Sequence, residues 1–295
     1  MAATAMNAGP SGASLGSEGE IQMTDVSDGA GFVTRRGSFR AAHVAEQNIE
    51  QQAFILDQMA GRPAIRTLKA WALDQLAPAA GETAVDVGSG TGEDVVAFAA
   101  SGARAIGVEP SPGLRAEAVR RAAGADVEYV DGHAEALPFA DASVDVLRCE
   151  RVLQHIDDPT PVVKEMARVL RPGGRIALID TDWATAIVHP ADPGVLQRMV
   201  DYFLHETANP YSGRRLRGLL ADAGLEITGE TAATMIEAQD GARQGFVAMM
   251  HLTALQAGVI TEAEAETFAR TLAEAADRGA FHLSLTMYAV SAVKP

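Results

Sequence analysis

Several kinds of residue are scarce in this sequence, and each scarcity closes a class of function. One cysteine, Cys149, stands among 295 residues, so no intrachain disulfide can form, and no close set of His and Cys offers a metal site. Basic side chains are outnumbered, 24 Lys and Arg against 39 Asp and Glu, for a formal charge of -15. Such a surface repels phosphate backbones and anionic head groups at long range, which predicts no nucleic-acid partner. No apolar run approaches the roughly 18 residues that span a bilayer, so membrane insertion is not expected. Arg35-Arg36 is followed by a stretch containing His43, Glu46, Gln47, Asn48 and Glu50, and without an apolar segment the pair is no twin-arginine export signal. Residues 1–38 have few large apolar side chains and are rich in Ala, Gly, Ser and Thr, a composition that reads as a flexible tail. The expectation is a soluble, cytoplasmic protein.

What remains is ordinary globular material, 47% hydrophobic and 21% charged, able to bury a sizeable core. Residues 39–295 read as one enlarged domain: helices over 39–80, a core over 82–183, and further helices with the last strands over 184–295. Short apolar runs at 83–87, 105–109, 127–130, 144–149 and 175–180 alternate with helical stretches. That alternation predicts right-handed crossovers and a parallel sheet covered on both faces. The fold class is therefore α/β, doubly wound, with late strands at 226–231 and 282–292 and a helical insertion near 241–278 forming a lid.

The first strand runs into a glycine turn, Val85-Asp86-Val87-Gly88-Ser89-Gly90-Thr91-Gly92, where absent β-carbons let a ligand approach the backbone. Glu93 stands where the third glycine of a dinucleotide fingerprint would be. An acidic helix start is a poor neighbour for a pyrophosphate and a better one for a cationic or zwitterionic ligand. Glu109 closes the second strand, where a carboxylate can accept both hydroxyls of a ribose.

Further segments follow in order: Ala134-Glu135-Ala136-Leu137-Pro138-Phe139, Leu153-Gln154-His155-Ile156-Asp157-Asp158-Pro159, and Arg168-Val169-Leu170-Arg171-Pro172-Gly173-Gly174. Together with the glycine turn, they make the chain resemble the class I S-adenosylmethionine-dependent methyltransferases. The similarity is to the small-molecule branch that includes ubiquinone and menaquinone C-methyltransferases and natural-product enzymes. The resemblance implies a seven-stranded, mostly parallel Rossmann-like sheet and S-adenosyl-L-methionine as cofactor. It implies that Asp86 and the backbone of Gly88, Ser89, Gly90 and Gly92 hold the methionine part, that Glu109 binds the ribose, and that Asp131, Gly132, His133 and Ala134 line the adenine. Relatives usually carry aspartate where His133 stands; a neutral imidazole accepts one bond in a fixed tautomer, and Asp131 is the alternative acceptor. Glu150 would approach the cofactor's amino group.

In some O-methyltransferases of the resembled family a histidine after the fourth strand works with an aspartate after the fifth, here His155 and Asp180. His155 is then either a general base held by Asp180 or a structural, substrate-orienting residue. The reading is metal-free methyl transfer to a small, partly apolar acceptor, a natural product or quinone-like metabolite. The alternatives are a non-methylating enzyme that keeps the cofactor, a nicotinamide-dependent oxidoreductase, and a methyltransferase-like binding subunit.

Overall fold

The computed structural model describes residues 49–295. The expected tail over 1–38, the Arg35-Arg36 pair and the start of the N-terminal helices lie outside the described residues. Two helices lead in, α1 (Ile49–Ala60) and α2 (Pro63–Leu76), the second opening on a proline at its first turn, where the missing N–H costs nothing. The core follows as β1 (Thr83–Val87), α3 (Glu93–Ala100), β2 (Arg104–Val108), α4 (Pro112–Ala122), β3 (Val127–Val130), β4 (Val144–Glu150), α5 (Thr160–Val169) and β5 (Leu170–His189). The chain then runs through α6 (Pro193–Glu206), α7 (Ser212–Asp222), β6 (Glu226–Ile236), α8 (Gly245–Gln256), α9 (Glu262–Asp277) and β7 (His282–Val293).

The seven strands order as β3-β2-β1-β4-β5-β7-β6. β1 to β5 pair in parallel, while β7 runs antiparallel between β5 and β6. Each face carries its own core. Leu68, Phe98, Met199, Val247 and Leu272 gather on one side, and Val163, Met166, Leu178, Leu216 and Leu220 on the other. On α5, Val162, Val163, Met166 and Val169 are buried as their spacing predicts.

Three local expectations change. The link from β3 to β4 contains no helix; residues 131–143 make a loop with one bridge, His133 to Ala136. The glycines at 173–174 do not separate α5 from the fifth strand. They form a bulge within it, since Val144 pairs with Leu170 but Val146 with Arg175, and Gly173 takes φ 76°. The fifth strand also does not stop near Asp180. β7 supplies ladder partners out to His189, across a second irregularity between Asp182 and Ile187 that contains Trp183. No helix among the described residues is long and apolar enough to cross a membrane.

Candidate active site

β1 lies between β2 and β4, the point at which the strand order reverses. A sheet of this kind opens a crevice at the carboxyl ends of its strands there. The turn after β1 has left-handed φ at Gly88, Gly90 and Gly92, 73°, 52° and 83°. Protein, as well as ligand, requires these glycines. A β-carbon on Gly88 would fall 2.4 Å from Val152 Cγ2, and one on Gly92 2.2 Å from the Tyr129 hydroxyl. Leu56 of α1 reaches to 3.2 Å from the same position on Gly90, so α1 lies against the turn.

Glu109 ties the turn to β2. Its two carboxylate oxygens accept from Gly90 N at 3.0 Å and Ser111 N at 2.9 Å, and each keeps capacity for a further donor. Burial raises its pKa against the pull of those two bonds, of Arg115 and of nearby His133. Ser111 also caps α4, accepting from Leu114 N at 3.3 Å. Gly132 packs beneath Val108, Ala134 is buried, and His133 is exposed at the rim. Asp131, the alternative acceptor, pairs through Oδ1 with Arg115 at 2.7 Å, its side chain 73% exposed.

The expected roles of Asp86 and Glu150 are joined by a residue that sequence reasoning missed. Arg148 is 3% exposed in the middle of β4. Its Nη1 reaches Asp86 at 3.1 Å and Asp94 at 2.9 Å, and its Nη2 donates to Glu150. Lys69 of α2 joins Asp94 at 2.8 Å, and Arg151 donates to Glu150 at 2.9 Å. A cleft of about 200 Å³ between α2 and α3 brings Lys69, Asp94 and Arg148 to solvent. Burial pushes Asp86 up to about 7 against the attraction of Arg148. Burial also works to raise Asp94, but Arg148 and Lys69 outweigh it and hold that carboxyl low. The signal was in the sequence: an arginine inside the largely apolar strand Val144-Asp145-Val146-Leu147-Arg148-Cys149 has to be paired if buried.

His155 ends a short 3-10 turn, Leu153–His155, just past β4. Burial, with help from Arg151, lowers its pKa to about 3. Asp180 is fully buried, and it accepts from Gln154 N at 3.0 Å, Thr181 N at 2.8 Å and Ser212 Oγ at 2.9 Å. It therefore acts on His155 through the main chain of the turn that carries it. Burial, opposed by those three bonds, lifts Asp180 to about 7. The neighbouring Gln154 accepts from Trp183 Nε1 at 3.0 Å. Trp183 belongs to an aromatic cluster with Phe203 of α6 and Phe246 of α8, centroids 5.1 to 5.3 Å apart. Asp182, fully buried, pairs with Arg214 of α7.

Residues 85–178 match the family model described as a methyltransferase domain. The chain belongs to the class I S-adenosylmethionine-dependent methyltransferases. An uncharacterized 37.1 kDa protein in transposon TN4556 of Streptomyces fradiae is 30% identical over 85% of this chain and 74% of its own length. An uncharacterized methyltransferase of Mycobacterium avium is 44% identical over 36% of this chain, which spans 42% of that relative. The YcgJ protein of Bacillus subtilis shares the fold, with a TM-score of 0.55 at 21% identity over 78% of this chain and 98% of its own. This chain thus spans less than half the length of the mycobacterial relative.

The residues at the crevice suit the family's cofactor. Glu109 has two acceptor positions left, and two buried oxygens, Ser89 Oγ in the turn and Gln52 Oε1 on α1, the helix whose Leu56 reaches Gly90, have no hydrogen-bond partner among the described residues. Among the described residues no cluster of His, Cys, Asp and Glu could hold a metal ion.

Proposed function

We propose that this methyltransferase holds S-adenosylmethionine in the crevice between β1 and β4 and methylates a small, partly apolar organic acceptor in the cytoplasm. The observation that carries the reading is Glu109, anchored by Gly90 N and Ser111 N at the end of β2 with an acceptor site left on each oxygen for a ribose hydroxyl. Bound there, the cofactor supplies a methyl group activated by its sulfonium. Asp86 and Glu150 lie at the methionine end, where their carboxylates suit an ammonium group. Gly132, His133 and Ala134 border the adenine end.

His155 is assigned an orienting role. With a pKa near 3 it is uncharged at neutral pH, but it is also too weak a base to take a proton from a hydroxyl efficiently. Methyl transfer is an in-line displacement, so alignment supplies much of the rate. Asp180 contributes by fixing the turn over 153–155. Trp183, Phe203 and Phe246 pack together beneath α6 and α8, and Trp183 bonds to Gln154 beside His155, an apolar neighbourhood that suits a partly apolar acceptor.

The test has two stages. S-adenosylhomocysteine at a hundred times its Kd should stabilise the protein by about 2.7 kcal/mol, and NAD should not. Labelled S-adenosylmethionine with a panel of phenols, quinols and prenylated acceptors should then yield S-adenosylhomocysteine. Stabilisation by NAD instead would return the crevice to the oxidoreductase reading. Conversion of an acceptor with no S-adenosylhomocysteine formed would support the non-methylating one.

A further inference from the structure

We infer that Arg151 receives the methionine carboxylate of the cofactor through the two terminal nitrogens of its guanidinium. The inference rests on the cofactor reading above and assigns a residue that neither the motif nor the resemblance singled out.

Three observations converge on Arg151. The first is its backbone: φ is +55°, a left-handed conformation that a side chain-bearing residue rarely adopts. The surroundings enforce it. Arg151 N donates to Ile179 O at 2.8 Å, its carbonyl accepts from Gln154 Nε2 at 3.3 Å, and its Nε donates to Glu150 at 2.9 Å. The second is position. Arg151 directly precedes Val152, the residue that packs against Gly88 of the cofactor turn, and its charge reaches Asp94, Asp180 and His155.

The third is the state of its donors. The side chain is 16% exposed, yet among the described residues neither Nη has a hydrogen-bond partner. Its neighbours differ. Arg148 commits both Nη groups to Asp86, Asp94 and Glu150, and Lys69 is held by Glu93 and Asp94. This end of the crevice therefore offers carboxylates to an ammonium, and among the described residues two guanidinium groups there keep free Nη donors, Arg66 of α2 in the cleft and Arg151, of which Arg151 adjoins Val152 against the cofactor turn. A planar pair of N–H donors matches a carboxylate edge to edge. The methionine group is a zwitterion and requires both.

Binding of S-adenosylhomocysteine and of its decarboxylated analogue, which keeps the ammonium, tests this by calorimetry on wild type, Arg151→Gly and Arg151→Lys. Glycine accepts the left-handed backbone and Glu150 keeps Arg148, so that variant should still fold, as its thermal melt checks. S-adenosylhomocysteine should bind Arg151→Gly ten- to a hundredfold more weakly, the decarboxylated analogue within about twofold of wild type, and Arg151→Lys should fall between. Unchanged S-adenosylhomocysteine affinity in Arg151→Gly, or an equal loss for both ligands, would overturn the assignment. Failure of either ligand to bind wild type would remove the cofactor reading itself, and this inference with it.

Discussion

Replacing Arg148 with leucine is the severest test of the charge network. The guanidinium is 3% exposed and bridges Asp86, Asp94 and Glu150. After the change Asp94 keeps Lys69 at 2.8 Å and Glu150 keeps Arg151 at 2.9 Å, while Asp86 loses its ion-pair partner. Removing one member of a buried pair costs about 3–5 kcal/mol, because the remaining charge is desolvated and uncompensated. For a domain of this size each kcal/mol moves Tm by about 2–4 °C, so a fall of roughly 6–20 °C is expected.

The sign of the pH dependence is fixed as well. Burial already lifts Asp86 to about 7, and without Arg148 it rises further, so the folded variant holds a proton that the unfolded chain releases near 3.8. Stability is then fully present at low pH and declines as pH rises through the folded pKa. The deficit relative to wild type should be larger at pH 8.5 than at pH 6, and Asp86→Asn combined with Arg148→Leu should recover part of it. Denaturant titration at the two pH values measures both. A loss below about 1 kcal/mol, or one equal at both pH values, would refute the idea that Arg148 compensates Asp86.

Glu109→Gln should weaken S-adenosylhomocysteine about ten- to a hundredfold by calorimetry, since the amide turns one of the two anchored acceptors into a donor facing Gly90 N or Ser111 N. His155→Ala should leave turnover at saturating acceptor within about tenfold and change mainly the Michaelis constant; a loss of a hundredfold or more would restore the catalytic base. For the wild type, the rate should show no inflection from His155 between pH 5 and 8, because its titration lies near 3. Asp180→Asn should reduce the decline in stability between about pH 4 and 7, since a carboxyl raised to about 7 contributes most below its unfolded value and loses that contribution as pH rises. Denaturation across that range would show an unchanged slope if Asp180 were ionised throughout.

The legible part of this chain was what period and motif report. Alternating apolar runs placed the parallel strands, and the glycine turn with Glu109 located the crevice, because both features depend on residues close in sequence. Two kinds of feature escaped. The first is pairing that ends a strand: β5 continues to His189 because β7, about a hundred residues later, offers ladder partners, and nothing local to residues 181–189 announces them. The second is competition among side chains. Asp131 and Asp180 are acceptors by type, and nothing local in the sequence tells that Arg115 pairs with the first or that Gln154 N, Thr181 N and Ser212 Oγ engage the second. Arg148 was the readable exception, since a charge in a buried strand announces that partners exist without naming them.

The network also bears on how a protein of net charge -15 would receive the methionine group of the proposed cofactor. Around Arg148 the carboxyl groups of Asp86, Asp94 and Glu150 face Lys69, Arg148 and Arg151, with Glu93 on Lys69 and Arg66 lining the same cleft. Long-range repulsion from the acidic surface is screened within about 8 Å at physiological ionic strength, so the local balance governs the ligand. The cluster sets carboxylates and guanidinium groups side by side for the ammonium and the carboxylate of the methionine group. What it provides is fixed direction. Arg148 holds two carboxylates at the first and fourth strands, and the left-handed backbone of Arg151 sets the opposite charge beside them. Because these groups are already ordered by one another, ligand binding need not reorganise them, which is the condition under which buried dipoles and charges contribute most to alignment in methyl transfer.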